Sequence, residues 1–518
     1  MVVVRALVRP NSYRDSVVLM RLSGELTSLP GVLRAAAMMA TGPNKALMAE
    51  AGLLDDAGHA AGPADLLIGV AADSAAAAER ALAATVRLLE PPSAGGERAA
   101  LPRARTLDAA LRALPEANLA IVSVPGQFAA ADAEKALQRD LHVLLFSDNV
   151  PLDQEVALKR LAARRGLLLM GPDAGTALIG GVGLGFANAV RRGPIGLVSA
   201  SGTGLQAVSS LVHRYGSGVS HGIGTGSRDM AAAVGGLMMR QGIDLLADDP
   251  ATAVLVLVSK PPDLVPAAAV YERIRDLRKP VVTCFLNARP ESAQRAGAHP
   301  VTTLDQAAAL AIRLAGEQPA LDAAPQPLAA LRAEAARLAP SQQYLRGLYA
   351  GGTLAYEAQV VLQPQLTVYS NVPLAEDRRL PAPRQSVGHT IVDLGADEFT
   401  VGRPHPMIDG SLRAERLLAE ADDPETAVLL LDVILGYGAH ADPAGALAPT
   451  LAEARARAEA AGRYLPVVVS VCGTDGDPQG LRPQEAALRA VGALVFPTNA
   501  QAARAAAAIA LRAAPASG

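Results

Sequence analysis

Two similar turns of glycine and hydroxyl residues each follow an apolar run and open a segment with helical periodicity. The first lies in SASGTGLQAV (199–208) and the second in YAGGTLAYEA (349–358). The start of a helix offers unpaired amides and the positive end of the helix dipole, and glycine lets an anion approach the backbone. The pattern therefore favours a phosphate or carboxylate site, although a hydroxyl that only caps a helix gives the same pattern. The candidate phosphate-binding residues are Ser201, Gly202, Thr203, Gly351, Gly352 and Thr353.

A second candidate is the proline-flanked loop FTVGRPHPMIDGSLR (399–413). Arg403 could bind a phosphate or carboxylate with two hydrogen bonds, and His405 could act as general acid or base. In the alternative interpretation the loop is a structural corner, where His405 bonds the backbone and Asp409 caps the next helix. We predict Arg403 and His405 as the catalytic residues.

Two further loops carry polar residues next to apolar runs. Arg228 stands in GIGTGSRDM, and Asp173 follows a buried strand in MGPDAGTALI, at the carboxyl end where α/β proteins bind ligands. Both are predicted substrate-binding residues, while a domain-edge connection and an ordinary turn are the alternatives. The histidines and the two cysteines lack the spacing of metal ligands, so no metal site is predicted.

The elements that position these residues have an α/β pattern. Apolar runs such as PIGLVSA, TAVLVLVS and PVVVSVC alternate with alanine-rich helical segments, which predicts parallel strands covered on both faces. ADDPATAV (247–254) and ADDPETAV (421–428) agree at seven of eight positions, and similar features follow in the same order around them. An eight-residue match could arise by chance, but the ordered set predicts a duplicated domain that carries the two turns at matching places.

Composition excludes several classes of function. The chain has 518 residues, a formal net charge of −3 and no long Lys/Arg block, so nucleic acid is not expected as a partner. Two cysteines cannot form a disulfide scaffold, which predicts a reducing compartment. The start of the chain is interpreted as a strand and not as a signal peptide, and no apolar stretch is long enough for a membrane span. A cytoplasmic protein without a membrane partner is expected.

The motifs resemble those of a known group of enzymes. MGPDAGTALI, SASGTGLQAV, GIGTGSRDM and KPVVTCFL are similar to the α subunit of succinyl-CoA synthetase, and YAGGTLAYEA, PMIDGSLRAERL and LPVVVSVCG to the carboxy-terminal domain of its β subunit. Over nearly the whole length, the sequence resembles the FdrA family of acyl-CoA-synthetase-like proteins. This resemblance implies a Rossmann-like CoA-binding-type domain (1–190) and two flavodoxin-like domains (191–320 and 344–518), with a linker at 321–343.

The resemblance also implies a site between the turns. In the ligases the two helices opening at these turns face a phosphohistidine, carried by a Gly-His-Ala-Gly loop. Here the corresponding segment, NARPESAQRAGAHPVTT, lacks that motif, and His299 matches the start of the next strand. No ATP-grasp domain and no glycine-rich fingerprint for CoA is found. We therefore expect free phosphate or carbamoyl phosphate as the ligand.

Within the FdrA family, the resemblance implies a subunit of an oxamate carbamoyltransferase of allantoin catabolism. Oxalurate and phosphate would give oxamate and carbamoyl phosphate, in a complex with partner subunits and with further copies of this chain. One alternative is a component of an NDP-forming acyl-CoA synthetase, which would use CoA or a nucleotide; no cofactor is certain. The other is a non-catalytic scaffold for partner enzymes.

Overall fold

The computed structural model describes residues 2–10, 12, 14, 16–27, 29–89, 104–320, 328–400 and 404–512. The chain is a mixed α/β protein with parallel sheets, and its residues cluster into two units. The first unit comprises Met1–Ala113 and Asp397–His405, and the second comprises Leu114–Ala396 and Pro406–Gly518. Within the described residues, no helix combines the length and the apolar character that a membrane span requires.

The first unit contains one three-stranded sheet with the order β1-β3-β2. Its elements are β1 (Val3–Arg9), α1 (Ser16–Thr27), β2 (Val32–Met39), α2 (Gly42–Glu50), α3 (Asp56–Ala60), β3 (Leu66–Ala72), α4 (Ala75–Leu89), α5 (Leu107–Ala113) and, later in the chain, α15 (Asp397–Thr400). Strand β3 pairs antiparallel with both neighbours.

This antiparallel sheet differs from the Rossmann-like domain predicted for residues 1–190, which requires parallel strands. The apolar run of β3 has a different cause. Ile68 and Val70 pack in one core cluster with Leu22 of α1, while Leu67 packs in a second cluster with Met48 of α2. A strand covered on both faces becomes continuously apolar whatever the direction of its neighbours, so the pattern alone could not distinguish the two cases.

The second unit begins with a small parallel sheet of order β4-β5-β6. Its elements are β4 (Leu119–Val122), α6 (Gly126–Leu137), β5 (His142–Leu145), α7 (Leu152–Arg164) and β6 (Leu169–Met170).

The seven-stranded sheet that follows has the order β13-β12-β11-β9-β10-β7-β8. Its elements are β7 (Thr176–Ile179), β8 (Val182–Gly185), β9 (Ile195–Ser199), α8 (Gly202–Arg214), β10 (Val219–Gly224), α9 (Leu237–Asp248), β11 (Val254–Ser259), α10 (Leu264–Arg275), β12 (Val281–Phe285), α11 (Pro290–Arg295), β13 (His299–Pro300) and α12 (Leu304–Leu314). Strands β9 to β13 are parallel and adopt the 2-1-3-4-5 order of flavodoxin-like folds, with the antiparallel hairpin β7–β8 beside β10.

The third sheet of this unit has the order β15-β16-β14-β17-β18-β19 and is parallel throughout. Its elements are α13 (Leu328–Ala336), β14 (Tyr344–Tyr349), α14 (Gly352–Leu362), β15 (Val368–Ser370), a 3₁₀ helix (Glu376–Arg378), β16 (His389–Asp393), α16 (Ser411–Asp422), β17 (Thr426–Ile434), α17 (Pro443–Ala460), β18 (Val467–Cys472), α18 (Leu481–Ala490), β19 (Leu494–Phe496) and α19 (Asn499–Ala510). Without the edge strand β15, the 2-1-3-4-5 order is repeated.

Two halves of the second unit are built on different sheets, one on the seven-stranded sheet and the other on the sheet of β14 to β19. The ADDPxTAV segments make the same corner in both halves. Asp249 ends α9 with φ −72° and ψ 118°, and Asp423 ends α16 with φ −68° and ψ 118°. Each corner leads into the strand that lies beside the strand before the Gly-Thr turn, which is β11 beside β9 and β17 beside β14. The two halves also share one hydrophobic core, in which residues such as Val208 of α8 and Ala358 of α14 belong to the same cluster. A shared core fixes how the two Gly-Thr turns lie relative to each other.

Candidate functional site

The first Gly-Thr turn is capped by its own side chains. Ser201 is the N-cap of α8, with extended backbone at φ −155°, and its hydroxyl accepts a hydrogen bond from the Gly204 amide at 3.0 Å. The hydroxyl of Ser199, the last residue of β9, accepts from the Ser201 amide at 3.1 Å. Each hydroxyl satisfies one amide that the helix start leaves without a partner.

The second turn is capped by a neighbouring strand. Gly351 is the N-cap of α14 and has no side chain to cap it. Instead, the carboxylate of Asp432 in β17 accepts from the amides of Ala350 and Gly351 at 2.8 and 2.7 Å, and Arg413 donates to it at 3.0 Å. Burial raises the pKa of Asp432, and Arg413 and the two amides oppose that rise. The Gly351 amide therefore already has a hydrogen-bond acceptor within the protein.

The two turns are in direct contact. The hydroxyls of Ser201 and Thr353 share a hydrogen bond, and the Thr353 amide donates to the Thr203 hydroxyl at 3.3 Å. Ser201 and Thr353 are both buried. The positive ends of two helix dipoles thus lie side by side, and the amides of Gly202 and Gly352 form no hydrogen bond within the described part of the chain. This arrangement can stabilise a phosphate or carboxylate.

Lys260 and Asp393 lie beside the second turn and were not predicted. A Cβ atom on Gly352 would lie 2.9 Å from Lys260 Nζ and 2.5 Å from Asp393 Oδ2, so only glycine leaves both side chains in place. Lys260 Nζ is 5.3 Å from the centroid of the Tyr356 ring and forms no ion pair with any described residue. The only sequence signal is position, because Lys260 directly follows β11 and Asp393 ends β16.

Arg228 and Asp173 are the two predicted substrate-binding residues. The guanidinium of Arg228 pairs with Glu155 at 2.8 Å and donates to the Val150 carbonyl at 2.7 Å. Asp173 is exposed in the turn between β6 and β7, with its amide bonded to the Ser147 carbonyl at 3.0 Å. Arg228 therefore has a structural partner already, and a role in substrate binding stays a prediction for both residues.

The predicted catalytic pair is Arg403 and His405. Arg403 lies outside the described residues, and His405 belongs to the short segment that clusters with the first unit. Their catalytic roles stay predictions. His299 lies on the edge strand β13, where it pairs with Val282 near the start of β12. That position is three strands away from β9, so His299 does not lie at the turns.

The comparisons with known proteins identify the family. The Escherichia coli (strain K12) protein YahF is 44% identical over 497 residues, which cover 95% of this chain and 96% of YahF. The chain belongs to the YahF family. Residues 348–509, which contain the second turn, match the family model described as CoA-ligase. The succinyl-CoA-synthetase-like part of the resemblance is confirmed in this way, while the FdrA name stays a prediction.

Part of this YahF-family chain is also similar to a ligase subunit. The α subunit of succinate–CoA ligase [ADP-forming] from Methanothermobacter thermautotrophicus is 27% identical over 186 residues, which cover 35% of this chain and 61% of that subunit. Among solved structures, ATP citrate lyase from Methanothrix soehngenii in complex with citrate and coenzyme A covers 41% of this chain and 40% of its own, at 17% identity and a TM-score of 0.36. A likeness of that size carries no conclusion.

Residues 1–103 match the family model described as "AllF, heavy metal-associated domain". Soft metals in protein sites favour cysteine thiolates. This segment contains no cysteine, since Cys284 and Cys472 are the only two in the chain. Within the described residues, no group of three or more His, Cys, Asp or Glu side chains could hold a metal ion. The residues present do not fit a thiolate metal site.

Proposed function

We propose that this chain is a component of an acyl-CoA synthetase of the succinyl-CoA-ligase type, and that it holds an acyl phosphate at the two facing turns. The observation that carries the proposal is the direct contact of the turns through Ser201 and Thr353. Because of this contact, the starts of α8 and α14 lie next to each other and could bind the same anion. The CoA-ligase match over residues 348–509 and the partial match to the ligase α subunit support the same chemistry.

The residues at the turns suit the departure of phosphate from an acyl phosphate. The amides of Gly202 and Gly352 and the ammonium of Lys260 would bind the phosphoryl oxygens. When a thiol attacks the acyl carbon, a C–S bond forms and the C–O bond to phosphate breaks, and the thiol proton passes to the departing phosphate. The turn would stabilise the charge that develops on that oxygen, which is the largest contribution that fixed donors make to catalysis. CoA, any nucleotide and the enzyme that forms the acyl phosphate would come with partner subunits.

A second candidate is transfer of a carbamoyl group from oxalurate to phosphate. Two observations favour this candidate. The hydroxyls of Ser201 and Thr353 already bond each other, and His299 lies at the far edge of the sheet. Such a site suits a free phosphate better than a phosphorylated histidine. The comparisons support the first candidate more strongly, because they match CoA ligases.

The experiment compares the two reactions on one preparation, purified with its native partners. Acyl-CoA formation from acetyl phosphate and CoA supports the first candidate, and formation of carbamoyl phosphate from oxalurate and phosphate supports the second. Thr203→Val should weaken binding of inorganic phosphate in calorimetry, whereas Thr302→Val, an exposed control, should not. Unchanged phosphate binding in Thr203→Val and in Gly352→Ala would overturn the assignment of the turns.

A further inference from the structure

A small cavity lies between the two halves of the second unit, one to two helical turns beyond the Gly-Thr turns. It measures about 30 Å³ and is lined by α8, α12 and α14 together with residues 470–473 and 497–499. We call it the junction cavity, because α8 and α12 come from one half and the remaining segments from the other. It belongs to neither Gly-Thr turn, and the proposed function gives it no role.

The junction cavity contains a buried hydroxyl that lacks a partner. Ser210 is 1% exposed, and its Oγ has no nitrogen or oxygen partner in the described residues. Burial raises the pKa of the adjacent Cys472 thiol to about 12, and a contact with the Ser210 hydroxyl opposes that rise, but a thiol is only a weak hydrogen-bond partner. An unsatisfied buried hydroxyl is costly, and proteins commonly satisfy such groups with internal water. The volume is sufficient for one or two water molecules, each of which needs about 10–15 Å³.

Glu357 in the wall of the cavity connects the two halves. Its carboxylate accepts from the Leu304 amide, the first of α12, at 2.6 Å, and from the Asn499 side chain of α19 at 2.8 Å. Asn499 in turn accepts from the hydroxyl of Tyr349 at 3.1 Å. The helix after the first turn has no counterpart of Glu357, because the repeat aligns Ala207 of α8 with Glu357 of α14. A single carboxylate therefore holds helix starts from both halves.

The charged groups around Glu357 do not cancel the rise that burial causes in its pKa. Burial raises its pKa to about 7 and the Asp305 carboxylate of α12 adds to the rise, while Arg504 of α19 lowers it. Burial raises the pKa values of Cys284 in β12 and Tyr349 in β14, and the Glu357 carboxylate adds to both rises. The remaining charged group in the cavity wall is Arg214, whose guanidinium donates to the Pro497 carbonyl at 3.0 Å.

We propose that the junction cavity is a water site that serves Ser210 and through which the buried Glu357 exchanges its proton with solvent. When Glu357 is ionised, both oxygens accept from the other helices. When it is protonated, one oxygen carries the proton, and its bond to the Leu304 amide or to Asn499 weakens. The contact between the halves thus changes with the proton that this site holds.

The first test asks whether a substitution at Ser210 raises or lowers the stability of the folded chain. Ser210→Ala is compared with Ser209→Ala, a buried serine of the same helix whose hydroxyl already donates to the Gln206 carbonyl at 3.1 Å. In a hydrated cavity, Ser210→Ala removes a partner of the water and lowers the urea midpoint relative to the wild type, as the loss of a hydrogen bond in Ser209→Ala also does. In a dry cavity the substitution removes an unsatisfied group and raises the midpoint, and that outcome overturns the water site.

The second test follows the proton directly. Infrared difference spectra of the full chain between pH 6 and pH 8 should contain a protonated-carboxyl band that is absent from Glu357→Gln and retained in Glu453→Gln, an exposed control. A band that persists in Glu357→Gln, or no band at all, overturns the assignment of the proton to Glu357. Crystal structures at the two pH values provide an independent check, since a junction cavity without electron density for water would overturn the water site.

Discussion

The two Gly-Thr turns have the same backbone plan but are stabilised by different chemistry. At the start of α8, the cap is the neutral hydroxyl of Ser201. At the start of α14, the cap is the carboxylate of Asp432, which a buried arginine supports. The repeat aligns Asp432 with Val258, so the first half has no such acid. The two halves thus share the turn, while only the second half has the buried ion pair at it.

This difference has a consequence for the ligand. The acidic groups Asp432 and Asp393 offset the positive end of α14, whereas the start of α8 has no carboxylate partner in the described residues. An anion between the turns therefore gains most from α8 and from Lys260. The two helix starts thus differ in their neighbouring charges, although the sequence motif makes them look equivalent.

The largest expected effect comes from removing the cap of the second turn. Asp432→Ala leaves the guanidinium of Arg413 buried without its partner and frees two amides, so the free energy of unfolding should fall by about 3–5 kcal/mol. Ser201→Ala at the first turn should cost only about 0.5–2 kcal/mol, because it removes one neutral cap. Urea unfolding measures both values. Equal losses would contradict the unequal roles of the two caps.

The next effect is the pH dependence of stability that Glu357 causes at the contact between the two halves. Its pKa is raised by burial from 4.5 to about 7 in the folded chain. Between these values, the unfolded chain releases the proton while the folded chain keeps it, so rising pH favours unfolding. Relative to Glu357→Gln, the wild-type chain should lose stability by about 1.4 kcal/mol per pH unit across this window. Parallel stability curves for the two proteins would exclude this assignment.

A smaller effect is expected from the charge beside the turns. Lys260→Met should weaken phosphate binding by about 10- to 100-fold, since a hydrogen bond from a charged donor contributes about 1.5–3 kcal/mol. Lys135→Met is the control, because Lys135 is exposed and pairs only with a neighbouring aspartate on α6. Titration calorimetry with inorganic phosphate at two salt concentrations provides the measurement. If both variants bind phosphate like the wild type, Lys260 is not a ligand.

The smallest effect is the coupling between the turns themselves. Ser201→Ala and Thr353→Val, made singly and together, should reveal a coupling energy of about 0.5–1.5 kcal/mol, the usual contribution of one hydrogen bond. Urea midpoints of the four proteins provide the cycle. Strictly additive losses would indicate that the contact adds nothing to stability.

Some of the site could be predicted from the sequence because it depends on local chemistry. Glycine and a hydroxyl after an apolar strand favour a capped helix start at Ser201 and at Gly351. The repeated ADDPxTAV corner indicated that the two starts belong to matching folds, and Asp249 and Asp423 adopt nearly the same backbone angles. Lys260 and Asp393 could not be selected in this way, because many other residues also follow a strand.

By itself, the sequence determined the α/β class, the helix starts at the two turns and the likeness of the two halves, since each follows from residue types at short spacing. Tertiary structure decided the rest. The direction of β3 depends on its neighbours, and its apolar run is the same in parallel and antiparallel surroundings when both faces are covered. The contact of Ser201 with Thr353 and the cap that Asp432 provides join residues far apart in the chain, which only the shared core of the two halves brings within hydrogen-bonding distance.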